Sequence, residues 1–234
     1  MNYEAILFDM DGVIIDTHQS VTDFWLKYAA LYQVHLSETD WEQRIYGCPP
    51  NHTFDLLFPD LNGDQRQAIL DDLVEYEAHL TYTALSGVLS FLHALKEKNI
   101  PTALVTSGDR RKVKAVTGQL GLAGAFSTTI TVEDIRRGKP DPECYLRAAQ
   151  ALQKSPERCL VFEDSISGVK AAAAAGALCI GVQLPSKSAH LFQAGARYAV
   201  PDFRGVNLLA GDGHSAHSIN LQIGAECSLP LLVN

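Results

Sequence analysis

Short apolar runs and helical periodicities alternate along most of this chain, and the alternation is interrupted once. Ala5 to Phe8 form a continuous apolar run, the pattern of a strand buried on both faces of a parallel sheet. From about His18 to Tyr82 the period becomes helical, with Phe24, Tyr28 and Leu31, and then Leu70, Leu73, Val74 and Leu80, recurring on one face. Breaks at Gly47-Cys48-Pro49-Pro50 and at Pro59-Asp60-Leu61-Asn62-Gly63 divide this stretch into about four short helices without strands. From Leu85 the alternation resumes. It predicts helices over Val88–Lys98, Arg111–Leu120, Pro142–Leu152 and Ser165–Ala175, and strands over Thr102–Val105, Thr128–Thr131, Cys159–Phe162 and Leu178–Val182.

Strands that alternate with helices imply an α/β fold: a parallel sheet with right-handed crossovers and helices on both faces. The helical stretch is then an insertion after the first strand, which divides the chain into a core of residues 1–16 and 83–234 and a helical unit of residues 17–82. The run Ala171 to Ala175 fits a helix packed closely on the sheet. Beyond Phe203 the pattern weakens, and only the alternation over Ser218–Ile223 suggests a late strand.

Composition narrows the function classes. A chain of 234 residues, 47% hydrophobic and 20% charged, can bury a sizeable core. It has no apolar run approaching the roughly 18 to 20 residues that span a bilayer. The start of the chain enters a strand without a basic, apolar leader, so a cytoplasmic location is expected. A net charge of −8 argues against broad binding to nucleic acid, which calls for a basic stripe. It leaves room for an anionic small molecule, because a lysine, a metal ion and backbone N–H groups make a local positive site. The five cysteines are odd in number and show no CxxC spacing, so neither a disulfide framework nor a zinc site is implied. Nothing in the composition sets an oligomeric state.

The candidate chemistry lies where the strands end. Asp9 and Asp11 follow the first strand, Thr106-Ser107-Gly108 the second, and Glu163-Asp164-Ser165 a later one, while Gly138-Lys139-Pro140 leads toward a helix. A lone Asp-x-Asp-Gly is compatible with an ordinary polar turn. Parallel strands, however, bring all four clusters to one edge, where open α/β sheets bind ligands. Carboxylates, a hydroxyl, a lysine and helix N-termini together suit the handling of a phosphoryl group with a divalent cation.

The ordered set Asp-Met-Asp-Gly-Val, Thr-Ser-Gly, Gly-Lys-Pro-Asp-Pro and Glu-Asp-Ser-Ile-Ser-Gly-Val resembles the four motifs of the haloacid dehalogenase superfamily, over Tyr3 to Val182. The helical insertion is similar to the small cap of that superfamily's first structural class, in the β-phosphoglucomutase and sugar-phosphate phosphatase branch. The resemblance implies a Rossmann-like core beneath a movable helical cap. It makes Asp9 the nucleophile that forms an aspartyl-phosphate and Asp11 the general acid and then base. It implies magnesium held by Asp9, the Asp11 backbone carbonyl and Asp164, with Glu163 as a further ligand or a partner behind the ligands. Ser107, with the backbone N–H groups of Ser107 and Gly108, would bind the phosphoryl oxygens. Lys139 would neutralise the phosphoryl charge and orient Asp9. Taken singly, Ser107 could cap the following helix and Lys139 could be a solvated charge.

The presence of Asp11 favours phosphoryl transfer over dehalogenation, which needs no acid on the leaving group and no magnesium. Within the resemblance, a mutase would carry an arginine in the cap loop and a histidine twelve residues after the nucleophile. This chain has Pro50 and Val21 at those places. Hydrolysis of a small phosphate monoester, a sugar phosphate or similar metabolite, is therefore expected. A hexose phosphomutase using His52 or Arg44 instead is the alternative, and an inactive binding module of the same fold is the distant one. Tyr46 and His52, flanking the Gly-Cys-Pro-Pro turn, are the cap residues expected to meet substrate. His18 is a weaker candidate, and Trp25 and Trp41 read as aromatics of the cap interior. Crossings near Asp16-Thr17 and Tyr82-Thr83 would serve as the hinge of a lid.

Overall fold

In a computed structural model that describes residues 2–210, 218–224 and 227–232, the alternating segments form a six-stranded parallel sheet of order β3-β2-β1-β4-β5-β6. Its strands are β1 (Ala5–Phe8), β2 (Thr102–Val105), β3 (Thr128–Ile130), β4 (Cys159–Glu163), β5 (Leu178–Val182) and β6 (Tyr198–Val200). The helices outside the insertion are α5 (Val88–Glu97), α6 (Arg110–Gln119), α7 (Glu143–Ala151), α8 (Ile166–Ala174) and α9 (Ala189–Ala194). The expected Rossmann-like α/β core is thus present. β1 lies between β2 and β4 in the register Phe8 opposite both Leu104 and Phe162. The strand order reverses about this central strand, and the crevice at the carboxyl ends of β1 and β4 is the switch point where such sheets take ligands.

Successive side chains on a strand face opposite ways, and β1 shows what each face needs. Ile6 and Phe8 enter one buried cluster, Ala5 and Leu7 the other. On the first face Phe8 stacks on Phe162 with ring centroids 5.3 Å apart, and Phe91 and Phe203 close round them. Full burial of each such ring contributes roughly 1.5–3 kcal/mol. The second face is lined by small residues, among them Ala103, Cys159 and Cys179, which let α7 and α8 come close through Ala148, Ala149, Ala171 and Ala172.

The inserted segment contains α1 (His18–Leu31), a short turn of helix α2 (Glu38–Asp40) running into a π-helical turn (Trp41–Ile45), α3 (Pro50–Leu57) and α4 (Gly63–Ala78). It has its own buried cluster, built on Phe24, Trp25, Tyr28, Phe54, Phe58 and Ile69. The start of α4 is fixed by a capping box in which Asn62 accepts from the Gln65 N–H and Gln65 accepts from the Asn62 N–H. The chain enters and leaves this unit along one seam. Asp16 N–H donates to Thr83 O at 2.9 Å, and Leu85 N–H donates to Ile14 O at 2.9 Å.

After the sheet, the chain departs from expectation. Ser218–Ile223 is a strand as anticipated (β8), but it is flanked by β7 (Val206–Ala210) and β9 (Cys227–Leu232) in a three-stranded antiparallel sheet. Pro230 hides β9 from a sequence reading, because proline is tolerated only on edge strands such as this one. The small sheet is tied to the N-terminus: Leu232 N–H donates to Tyr3 O at 2.7 Å and Tyr3 N–H to Pro230 O at 2.9 Å. Leu221 and Leu231 complete the aromatic face of the core. Residues 211–217 of the weakly patterned tail lie outside the described residues.

Candidate active site

The aspartate pair sits directly beyond β1. Asp9 N–H continues the ladder to Phe162 O at 3.0 Å, so the backbone of Asp9 is still strand. The Met10 carbonyl then accepts from Ile14 and Ile15, and the turn closes with Gly12 N–H on Ile15 O at 2.8 Å. Gly12 has φ +70°, and a Cβ there would lie 1.9 Å from Asp164 Oδ2. Only glycine permits both the turn and the approach of that carboxylate.

Lys139 is the hub of the buried part. Its Nζ donates to Asp9 Oδ1 at 2.5 Å, to Glu163 Oε1 at 2.6 Å and to Val105 O at 3.4 Å. Glu163 is wholly buried. Besides Lys139 it accepts from Tyr145 Oη at 3.0 Å on Oε1, and from the Ser165 N–H and Oγ, each at 2.9 Å, on Oε2. Those bonds occupy the roughly four acceptor positions of a carboxylate. Helix α8 begins there, capped by Ser165, which accepts from Gly168 N–H. Gly168 is needed for space: a Cβ would fall 1.6 Å from Glu163 Oε1.

The electrostatics describe a site short of positive charge. Burial pushes the Asp9 carboxyl up to about 7; Lys139 works against that, while Glu163 and Asp11 add to it. Asp164 is likewise raised well above the usual carboxylate value, by burial and then by repulsion from Glu163, Asp9 and Asp11. Burial opposes charge on Lys139, yet Asp9 and Glu163 carry it well above its ordinary value. Carboxylate oxygens of Asp9, Glu163 and Asp164 all lie within 4.8 Å of one another. An all-oxygen donor set, buried at Asp9 and Glu163 and half-buried at Asp164, with surplus negative charge fits a hard divalent cation.

Above this cluster lies a cavity of about 350 Å³ between the core and the inserted helices. Asp11, Gly12, Ser107, Gly108 and Asp164 line it from the core, and Val21, Trp25, Ile45, Tyr46, Leu70 and Leu73 from the insertion. Asp9 and Lys139, only 5% and 6% exposed, lie behind that floor. Ser107 Oγ donates to Gly47 O at 3.4 Å, so it meets the cap loop directly. It does not cap α6; Asp109 does, accepting from Lys112 N–H at 2.7 Å.

Two sequence expectations are altered here. The Gly108 N–H, expected to face a phosphoryl oxygen, donates instead to Thr106 Oγ1 at 3.0 Å. His52, expected to meet substrate, is not among the lining residues; Asn51 is. Pro50 occupies the first position of α3, and the turn of about 100° per residue that follows aims Asn51 and His52 in different directions. Tyr46 does line the cavity, with its ring 4.3 Å from that of His18, which lines it too. Trp25 belongs both to the cap interior, against Phe54 and Phe58, and to the cavity wall.

The residues that sequence reasoning missed are Lys112 and Glu77. Lys112, on α6, donates to both Asp11 oxygens at 2.8 and 3.1 Å and pairs with Glu77 of α4 at 3.1 Å. Burial works against its charge, but Asp11 and then Glu77 hold its ammonium above the usual range. Arg111 meets the same Glu77 at 3.6 Å. No motif marks Lys112; its only signal is a position three residues after the Asp109 cap.

A family model described as haloacid dehalogenase-like hydrolase matches residues 3–176. The chain belongs to this family. It is similar to a phosphorylated carbohydrates phosphatase of Thermotoga maritima, 34% identical over 177 residues that cover 74% of this chain and 82% of that protein. It is also similar to hexitol phosphatase A of Escherichia coli, 32% identical over 193 residues, 82% of this chain and 88% of that one. Among solved structures, a HAD family hydrolase from Deinococcus radiodurans with bound phosphate and sodium superposes with a TM-score of 0.63 at 29% identity, covering 85% of this chain and 90% of that chain.

Proposed function

We propose that this HAD-type hydrolase is a magnesium-dependent phosphatase that cleaves a small phosphate monoester, a sugar phosphate or similar metabolite, through an aspartyl-phosphate. The observation that carries the reading is the buried Asp9–Lys139–Glu163 array beside Asp164, opening toward Asp11 at the sheet's switch point. The named phosphatase relatives support it.

In this reading a carboxylate oxygen of Asp9 attacks phosphorus while the bond from phosphorus to the ester oxygen breaks. The electron pair leaves with that oxygen, and Asp11 protonates it. Asp11 then takes a proton from water as the water attacks the phosphorus of the aspartyl-phosphate, which frees inorganic phosphate and the Asp9 carboxylate. Lys139 holds Asp9 in place and offsets charge on the phosphoryl group. Glu163, its acceptor positions filled by protein donors, acts chiefly by fixing Lys139. Ser107 steadies the phosphoryl oxygens from the second strand end. Asp9, Asp164 and the Asp11 carbonyl would hold the magnesium, with Glu163 behind them. When bound, the ion neutralises phosphoryl oxygens and lowers the repulsion met by an anionic nucleophile.

Residues 17–82 are the cap over a core of residues 1–16 and 83–234, hinged at the paired crossings Asp16–Thr83 and Ile14–Leu85. Tyr46 is its contact with substrate. A mutase would need a second phosphate site. The cations that line the cavity, Lys112 and Arg111, are each paired to carboxylates of Asp11, Glu77 or Asp109, which favours hydrolysis. The test is turnover of p-nitrophenyl phosphate with magnesium, with chelator, and by Asp9→Asn. Metal-dependent turnover lost in the variant is expected; turnover by the variant within tenfold of the parent would remove the mechanism.

A further inference from the structure

The two ends of the cavity differ in chemistry. Toward the core stand the charged groups of Asp11, Asp164 and Lys112; toward the cap stand Val21, Trp25, Ile45, Leu70, Leu73 and Val74. The polar groups on the cap side are largely committed elsewhere. Thr22 donates its hydroxyl to His18 O and accepts from the Tyr46 hydroxyl at 2.8 Å. Glu77 is engaged by Lys112 and Arg111.

We propose that the alcohol part of the substrate is an apolar or aromatic ring system rather than a sugar or an open polyol, an inference that rests on the phosphatase reading above and selects, among the small phosphate monoesters it allows, those other than sugar phosphates. A phosphate monoester placed with phosphorus near Asp9 must direct its organic group to the far wall. There a ring gains contact with aliphatic and indole surface. Sugar hydroxyls would lose water against the same side chains and find few partners, since Thr17, His18 and Asn51 are the main polar groups left along that side, the Cys48 thiol donating to Gln43 O. A hydrophobic pocket discriminates against one added hydroxyl by up to about 100-fold, and a polyol carries several.

The experiment compares kcat/KM for phosphate esters of primary alcohols, whose leaving groups differ little in acidity: cyclohexylmethyl and 2-phenylethyl phosphate against glucose 6-phosphate and sorbitol 6-phosphate. The ring esters are expected to be favoured by about 100-fold or more. Equal or preferred hydrolysis of the polyol esters overturns the inference and leaves the phosphatase reading standing. Absence of metal-dependent hydrolysis of every ester, p-nitrophenyl phosphate included, overturns both. Val74→Asn places an amide on the cap wall at a position 42% exposed, where folding tolerates it; the preference for ring esters is expected to shrink by about tenfold. An unchanged ratio in that variant counts against the cap wall as its source.

Discussion

Replacing Lys112 by methionine keeps the length of the side chain and removes the one charge that joins Asp11 of the core to Glu77 of the cap. At 2.8 Å and an effective dielectric of about 20, each ion pair carries roughly 6 kcal/mol of gross attraction. Most of that offsets the desolvation of Lys112, whose side chain is only 10% exposed. What the variant leaves behind is Asp11 without its cation, facing a Glu77 that keeps only Arg111 at 3.6 Å. Removing one member of a buried pair costs about 3–5 kcal/mol, and the partial exposure of Asp11, 26%, and Glu77, 16%, puts this case near the lower end. A loss of about 3 kcal/mol corresponds to a fall in Tm of about 6–12 °C for a chain of this length. Because Asp11 loses the group that orients it, kcat on a generic ester is expected to fall about tenfold or more. Thermal unfolding and steady-state kinetics, repeated for Glu77→Gln and the double variant, separate the pair's coupling from the single losses. An unshifted Tm with unchanged kcat in Lys112→Met would refute the bridge; additive single and double effects would show that Lys112 and Glu77 act independently.

Magnesium should restore activity removed by EDTA, and at about 100 times its Kd it should add about 2.7 kcal/mol to the stability of the metal-free protein; calcium, with its larger coordination shell, should bind and inhibit. A thermal scan that magnesium leaves unmoved would count against a site made by Asp9, Asp164 and the Asp11 carbonyl. Gly12→Ala combines a left-handed φ with a collision against Asp164, so it should cost about 1–3 kcal/mol and most of the activity; a variant of parental Tm and turnover would contradict that geometry. In the cap, hydrogen bonds from the Ser37 side chain and backbone N–H, and then Arg44, hold the Asp40 carboxyl below its ordinary 3.8. Its contribution to stability is therefore complete above that value and is lost as pH falls through the lowered one. Urea unfolding of Asp40→Asn should differ most from the parent near neutral pH, with the difference shrinking in acid; a difference independent of pH would exclude a charge effect.

The core was legible in the sequence because its chemistry is written in short, uninterrupted units. Ala5–Phe8, Thr102–Val105 and Leu178–Val182 are observed at the bounds their apolar runs predict. Each is buried on both faces, so no alternation blurs the pattern. The helix α9 escaped notice because it is only six residues long, too short for a helical period to declare itself. The C-terminal sheet was half seen: Ser218–Ile223 alternates, whereas Pro230 disguises its partner. At the site, Asp9, Lys139, Glu163 and Asp164 come together as their positions at strand and loop ends imply, since parallel strands carry them to one edge. Lys112 and the choice of Asn51 over His52 depend on helix phase and on how the cap sits over the core. Those are tertiary facts that no local pattern records.

The central claim is that Asp9 carries the phosphoryl group between substrate and water. Rapid acid quenching of the enzyme during turnover of a phosphate ester, followed by peptide mass spectrometry, tests it directly. The expected result is an acyl phosphate, labile to hydroxylamine, on the peptide containing Asp9, and its loss together with turnover in Asp9→Asn. Steady turnover by Asp9→Asn at parental rates, or a phosphoryl group trapped on a different side chain, would contradict the account.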